Sequence, residues 1–483
     1  MIVAKEISPY LTDNFSPVQT EITADDLPII GELPTDLSGI FVRNGPNPQF
    51  PPKGDYKWID GDGMLHGVQI SNGKATYRNR YVQTRGFKLE QKVGRAIWTS
   101  LMESPQLHNP PNNLFSPFKN TANTGIVWHA GQLLALWEGA EPYEITIPDL
   151  TTIGPFTYGN QLNSPFTAHP KVDFVTGEMM FFGYSLLEPP YLRYSVVSAK
   201  GELLRTVPID LPTGVMMHDF AITANYTIFM DLPLTFSLER LRRREPAYMF
   251  EPNLPSRFGI IPRHGDAFGN PSGVRKNIRW FEVSTCYVLH TLNAYETEEE
   301  VVVIGCRTDD AQLLNIPTKT NLCYNQVNKP QLYSWQFNLR TGAVQEGTID
   351  DLASEFPSLN QQFVGRENRY GYTARIVPEL LPIFALDALI KYDFADGYSQ
   401  VHEWGTGRYG GEAIFVPRSN ATQEDDGWLL TFVYDTATKT SELVVVNAQD
   451  ITDKPVARIL LPQRVPYGFH GTWIPEKSMH PAF

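Results

Sequence analysis

Four histidines, His169, His218, His290 and His470, each stand in a short and separate strand-like context. They read Ala168-His169-Pro170, Met217-His218-Asp219-Phe220, His290-Thr291-Leu292-Asn293 and His470-Gly471-Thr472-Trp473. No pair has the i, i+4 spacing of a zinc-protease helix, so a shared metal requires distant strands to meet at one point. That requirement selects a closed, radially built architecture. His66, His108, His129, His264, His402 and His480 have no comparable context and read as surface or core residues.

The elements that would position such a cluster are β-strands. From about Gly125 onward, β-rich runs at 133–137, 179–184, 191–197, 221–230, 279–292, 301–306, 332–337, 428–434 and 443–447 alternate with turn signals. Thirty-six Gly and 38 Pro supply turns, while 22 Tyr, 27 Phe and 9 Trp supply an aromatic interior. Up-and-down hairpins repeated over hundreds of residues favour a β-propeller over a sandwich, because radial repetition leaves few exposed edges. No exact repeat fixes the blade count. Two regions break the pattern and are expected to be helical insertions over one end. Residues 88–118 contain Ile97, Trp98, Leu101 and Met102 at i, i+1, i+4, i+5, and residues 377–392 carry a run of Leu, Ile and Phe. Cap packing and membrane contact are the two readings of these stretches.

Composition excludes several classes. The 483 residues are 42% hydrophobic and 19% charged, a core-forming balance. A formal charge of −13 argues against nucleic acid, and the basic run 240–244 is too short to reverse it. Cys286, Cys306 and Cys323 form no metal or disulfide pattern and read as reduced, buried thiols of a cytoplasmic protein. Neither a secretory signal nor a stretch of about 18 apolar residues is visible, so the expectation is a soluble or peripheral protein.

Other patterns are weaker. Gly405-Thr406-Gly407-Arg408-Tyr409-Gly410 matches a dinucleotide fingerprint, but a strand-like run stopped by Pro417 follows it where a helix is required. It reads as a turn. Asp60-Gly61-Asp62-Gly63 lacks the bidentate acid of a calcium loop. A nucleophile elbow and a phosphate loop are both missing. A carboxylate-pair glycosidase on a propeller and a non-enzymatic binding propeller remain as competing classes.

Ordered blocks along the chain resemble the carotenoid cleavage oxygenase family. They include Phe41-Val42-Arg43-Asn44-Gly45-Pro46, Trp58-Ile59-Asp60-Gly61-Asp62-Gly63, Thr121-Ala122-Asn123-Thr124 and Leu136-Trp137-Glu138. Thr167-Ala168-His169-Pro170-Lys171, Met217-His218-Asp219-Phe220, Glu355-Phe356-Pro357, Gly411-Glu412-Ala413 and His470-Gly471-Thr472 continue the series. The resemblance implies an all-β, seven-bladed propeller spanning residues 1–483, with a small helical cap and one Fe(II) on its axis.

By the same resemblance His169, His218, His290 and His470 bind the metal, with Glu138, Glu355 and Glu412 behind His218, His290 and His470. Sequence gaps of 49, 72 and 180 residues between successive histidines suit ligands on different blades. Thr124 matches a position whose methyl group shields one open iron site, and Trp137 suits the wall of a substrate tunnel. The implied activity is O2-dependent cleavage of a carotenoid or apocarotenoid double bond into two carbonyl products. Stretches such as Arg279-Trp280-Phe281-Glu282 and Arg464-Val465-Pro466-Tyr467 look closest to plant-type enzymes acting at the 9,10 and 9′,10′ bonds. Central 15,15′ cleavage, stilbene cleavage and iron-dependent isomerisation are the alternatives within the resemblance. Transient membrane contact through the stripe 97–102 is implied for a water-insoluble substrate. The bulky Trp473 after His470-Gly471-Thr472 departs from the family pattern.

Overall fold

A computed structural model describes residues 8–103, 110–243, 245–264, 278–314, 316, 318, 328–381 and 383–479. Its strands form seven antiparallel blades around one axis, a seven-bladed β-propeller, with the fifth and sixth blades joined through one shared strand and a two-stranded ribbon, Leu234–Phe236 with Tyr248–Phe250, outside the blades. The first blade runs outward as Gly471–Pro475, Gly39–Pro46, Gly63–Ser71, Lys74–Tyr81 and Thr23–Ala24. The second comprises Gly125–His129, Gln132–Leu136, Tyr143–Ile145 and Thr152–Pro155. The third comprises Lys171–Val172, Met179–Tyr184, Leu192–Val197 and Leu203–Ile209. The fourth is built from Phe220–Ile222, Tyr226–Asp231, Ser256–Pro262 and Arg279–Val283.

Tyr287–Glu296 opens the fifth blade, followed by Glu300–Thr308, Gln331–Asn338 and the first half of Val344–Ser358. The second half of that long strand pairs instead with Tyr370–Ile376, and so begins the sixth blade, completed by Leu386–Asp393 and Tyr398–Glu403. The seventh contains Ile414–Pro417, Gly427–Asp435, Thr440–Asn447 and Ala457–Leu460, with Ile29–Gly31 as its outer strand. The ring is therefore closed twice. An early strand completes the last blade, and the late strand Gly471–Pro475 pairs with Gly39–Pro46 at the inner edge of the first.

Strands such as Met179–Tyr184 and Gly427–Asp435 are buried on both faces, which explains their hydrophobic runs. Along Met179–Tyr184, Met179 and Phe181 pack toward the second blade while Met180 and Phe182 pack toward the fourth. Leu429 and Val433 likewise face the sixth blade, and Leu430 and Phe432 the first. Period-2 alternation of side chains thus serves two interfaces at once, so polar residues need not alternate with apolar ones.

One expectation is extended and two are corrected. Strands begin well before Gly125, since the whole first blade except its inner strand lies between Thr23 and Tyr81. The helix in residues 88–118 is Arg85–Val93, upstream of the apolar stripe, capped by the Thr84 hydroxyl and ended by Gly94 at φ 77°. Residues 97–102 are irregular because carboxylates take their backbone N–H groups. Glu90 accepts from Ile97 and Trp98, and Asp60 accepts from Leu101. Residues 104–109 lie outside the described residues. The run 377–392 is one 3-10 turn, Pro378–Leu380, followed by strand Leu386–Asp393. A strand buried on both faces carries the same unbroken apolar run as a buried helix.

Candidate metal centre

The histidines stand where blades meet the axis. His169, His218 and His470 each precede the inner strand of the third, fourth and first blade, and His290 lies within that of the fifth. Thr124, Glu355 and Glu412 occupy the corresponding places on the second, sixth and seventh blades. Every blade therefore sends one polar side chain to the same level.

The four imidazoles converge. The His169 ring centroid lies 4.6 Å from that of His218, 4.9 Å from His290 and 4.5 Å from His470. His290 is 5.1 Å from His218 and 4.8 Å from His470. One ring nitrogen from each of His169, His218 and His290 falls within 4.8 Å of the other two. The Nε2 atoms of His169 and His218 are 3.0 Å apart.

Three carboxylates orient three of the rings. Glu138 Oε2 lies 2.7 Å from His218 Nδ1, Glu355 Oε2 lies 2.5 Å from His290 Nδ1, and Glu412 Oε1 lies 3.0 Å from His470 Nδ1. Each carboxylate is itself held. Tyr184 O–H donates to Glu138 Oε1 at 2.7 Å, Phe356 N–H to Glu355 at 2.6 Å and Gly471 N–H to Glu412 at 2.8 Å. A carboxylate at Nδ1 takes the proton-bearing side of the ring and leaves Nε2 as a free lone pair. His290 Nε2 is buried with no hydrogen-bond partner. That orphan, and two Nε2 atoms face to face, fit a divalent cation. Ligands about 2.1 Å from one ion and at right angles stand about 3 Å apart.

Electrostatics favour neutral imidazoles at two positions. Burial, with the neighbouring rings, holds His169 and His290 well below the usual histidine range. Burial also opposes protonation of His218, but the adjoining Glu138 carboxylate outweighs it and His218 is raised. Burial pushes the Glu355 carboxyl up to about 8.

Two cavities of about 440 Å³ each meet at this level, and His290 and His470 border both. One is walled by Trp58, Trp137, Phe356, Phe384, Phe469 and Tyr184, with Thr124, Glu138 and His218 at its floor. The other follows the axis from the opposite face, past His169, Lys171, Asp219, Asn293, Asn360 and Glu412. Phe356 adopts φ 55°, rare for an aromatic residue, and its ring sits 5.6 Å from His290 and 5.5 Å from His470. Strain of this kind persists only where surrounding contacts enforce it. The Thr124 hydroxyl donates to Asn123 Oδ1 at 2.8 Å, and buried Asn123 is anchored on the Ile59 and Gly61 carbonyls.

The membrane-facing stripe is corrected. Trp98 is only 7% exposed, and Leu101 and Met102 turn inward to line the aromatic cavity. Among the described residues lining that cavity, Leu187 and Leu238 are exposed, and exposed Leu114 precedes the lining residue Phe115. In the basic run, Arg240 pairs with Glu251 and Arg243 with Glu239, while Arg244 lies outside the described residues. Gly405 and Gly407, at φ 100° and 71°, form the expected turn. Cys286 and Cys306 are free and buried, and Cys323 is outside the described residues. Sequence reading missed Tyr184 and the aromatic wall of Phe356, Phe384 and Phe469, since nothing local distinguishes them from core rings.

A seven-bladed propeller with imidazoles converging on its axis defines a class of metal-dependent enzymes. Comparison with known proteins narrows it. The profile of the family described as retinal pigment epithelial membrane protein matches residues 15–475. Carotenoid 9,10(9′,10′)-cleavage dioxygenase 1 of Arabidopsis thaliana is 40% identical over 500 residues, covering 97% of this chain and 90% of the relative. The carotenoid cleavage oxygenase of Mycobacterium tuberculosis is 34% identical over 521 residues, covering 98% of each. Among solved structures, Pseudomonas brassicacearum lignostilbene dioxygenase superposes with a TM-score of 0.88 at 30% identity, covering 97% of this chain and 98% of that one. Cobalt-substituted Synechocystis apocarotenoid oxygenase gives 0.80 at 28% identity, covering 95% and 97%. The chain belongs to the carotenoid cleavage oxygenase family.

Proposed function

We propose that this chain is a non-haem Fe(II) dioxygenase that cleaves a carotenoid or apocarotenoid double bond, with one iron per chain held by His169, His218, His290 and His470. The carrying observation is the convergence of these imidazoles from four blades, with His290 Nε2 unpartnered, at the floor of an aromatic cavity. Bound there, ferrous iron supplies the activation of O2.

The chain's own residues do the remainder. Glu138, Glu355 and Glu412 fix the tautomer and ring angle of His218, His290 and His470 and offset the dication's charge. Thr124, its hydroxyl committed to Asn123, would present its methyl group toward the metal and shield one approach to it. A polyene offers no group for a metal to grip, so selection of the bond falls to the cavity walls. Trp137, Phe356 and Phe384 hold the chain and exclude water. One C=C bond and one O2 become two C=O groups, with no other reactant consumed.

The favoured bonds are 9,10 and/or 9′,10′, on the likeness to the Arabidopsis and Crocus sativus enzymes that carry those names. A cytoplasmic, membrane-peripheral location accompanies this reading. No helix among the described residues is long and apolar enough to cross a membrane, and exposed Leu187 and Leu238 line the cavity, with exposed Leu114 next to the lining residue Phe115, where an apolar substrate would enter.

Metal analysis followed by an anaerobic-to-aerobic assay on carotenoids, apocarotenals and stilbenes tests the proposal. Iron near one per chain and O2-dependent bleaching with defined carbonyl fragments are expected. Fragment masses separate the favoured bonds from central cleavage, and a stilbene aldehyde would mark the lignostilbene-type activity. No iron and no cleavage after Fe(II) reconstitution would overturn it.

A further inference from the structure

The blades that carry His169, His218 and His290 are separate sheets, with no backbone ladder joining them. Apolar packing between blades is non-directional and leaves the axial height of one inner strand against the next loosely defined. Convergence of the three Nε2 atoms nonetheless requires that height to be fixed to a fraction of an ångström.

Directional contacts lie immediately beyond the histidines. Asp219, which follows His218, is 1% exposed. Its Oδ1 receives the Lys171 ammonium at 2.8 Å, and Lys171 stands two residues after His169 on the preceding blade. Its Oδ2 accepts Thr291 N–H at 2.8 Å and Thr291 O–H at 2.7 Å, and Thr291 follows His290 on the next blade. Phe220 N–H completes the set at 2.8 Å. One buried carboxylate thus bonds to all three histidine-bearing strands. The fourth is tied by the same device, since Glu412 of the seventh blade accepts Gly471 N–H, the residue after His470, at 2.8 Å.

We infer that Lys171, Asp219 and Thr291 are positioning residues that set the relative height of His169, His218 and His290 and so the geometry in which a metal is held. This rests on the proposal that these histidines bind iron. It differs from that proposal in assigning ligand-field geometry to a charged network that touches neither metal nor substrate. Hydrogen bonds to a charged group are directional and roughly twice as strong as neutral ones, which suits them to fixing register where the inner strands border the axial cavity.

Thr291 gives the discriminating test. Thr291→Val keeps the shape and removes the hydroxyl donor, whereas Thr291→Ser keeps the donor and removes the methyl. Metal-free wild-type and variant proteins would be titrated anaerobically with Fe(II) alone, and the nitric oxide adduct of each ferrous protein recorded by electron paramagnetic resonance. The positioning role predicts about tenfold weaker iron binding and an altered adduct spectrum for Thr291→Val, with near-wild-type values for Thr291→Ser. Asp219→Asn should lose about 10–100-fold in affinity, and the Thr291 pair decides the matter where that variant yields no folded protein. If Thr291→Ser is as impaired as Thr291→Val, or both match wild type in affinity and spectrum, the inference falls while the iron reading stands. If wild type itself binds no iron, both fall.

Discussion

Glu355 is the most informative single perturbation, because its two oxygens are used so unequally. Oε2 accepts both His290 Nδ1–H at 2.5 Å and Phe356 N–H at 2.6 Å, while Oε1 is buried without a partner. Glu355→Gln can keep its single carbonyl oxygen on the two donors and place the amide nitrogen where Oε1 stood. One orphan polar atom replaces another, so the cost lies mainly in exchanging charge-assisted bonds, worth about 1.5–3 kcal/mol, for neutral ones near 1 kcal/mol. A net loss of about 1–2 kcal/mol corresponds to about 5–30-fold in metal affinity, overlapping the tenfold to hundredfold typical of such partners. Glu355→Ala leaves two buried donors without acceptors at about 1–3 kcal/mol each, so its affinity should fall by a further order of magnitude or more. Fe(II) titration of the metal-free proteins against a chromogenic chelator, run above the value of about 8 to which burial raises Glu355 so that its carboxylate is ionised, reads both, with circular dichroism confirming the fold. Equal losses in the two variants, or wild-type affinity in Glu355→Gln, would refute the reasoning.

His290→Ala should abolish both iron binding and activity, since it deletes the one imidazole that borders both cavities and has a free buried Nε2; full activity in an iron-free variant would contradict the four-histidine assignment. Leu114→Ser combined with Leu187→Ser and Leu238→Ser should weaken sedimentation with liposomes yet spare turnover of a detergent-dispersed substrate, as all three are exposed. Trp98→Ser should instead lower stability by about 3–5 kcal/mol, the range for truncating a buried aromatic, seen as a lower Tm. His66 is held well below the usual histidine range by burial and by nearby Arg43. The unfolded chain takes up its proton below pH ~6.5 and the native one does not, so stability should fall as pH drops through that value, by up to about 1.4 kcal/mol per pH unit. His66→Gln should flatten the pH dependence of the denaturant midpoint in the metal-free protein, and an unchanged slope would remove His66 from that account.

The chemistry was more legible than the architecture. Four histidines could be singled out by residue type and context, whereas Glu138, Glu355 and Glu412 came only with the family resemblance. Ala168-His169-Pro170 carries that context in a few letters. Blade number was not legible, since Val344–Ser358 serves two blades and the first blade draws strands from both halves of the chain. Helix was expected at Ile97 to Met102 because the apolar spacing fits one. There, however, the side chains of Glu90 and Asp60 outcompete a helical ladder for backbone N–H groups. The run 377–392 failed differently: two-sided burial erases the alternation that marks a strand. Asp219 and Lys171 were visible within conspicuous blocks, but their bonding to Thr291 exists only once three blades are folded together.

The double closure of the ring also bears on how the protein matures during synthesis. His169, His218 and His290 emerge from the ribosome long before His470, whose strand must travel back to pair with residues 39–46, already made more than 400 residues earlier. Contacts of such sequence separation form late. A growing chain can therefore assemble three imidazoles without the fourth, and the seventh blade stays unsealed until Ile29–Gly31 finds Ala457–Leu460. On this scaffold the complete set of four imidazoles exists only once the last strand has returned to the first blade.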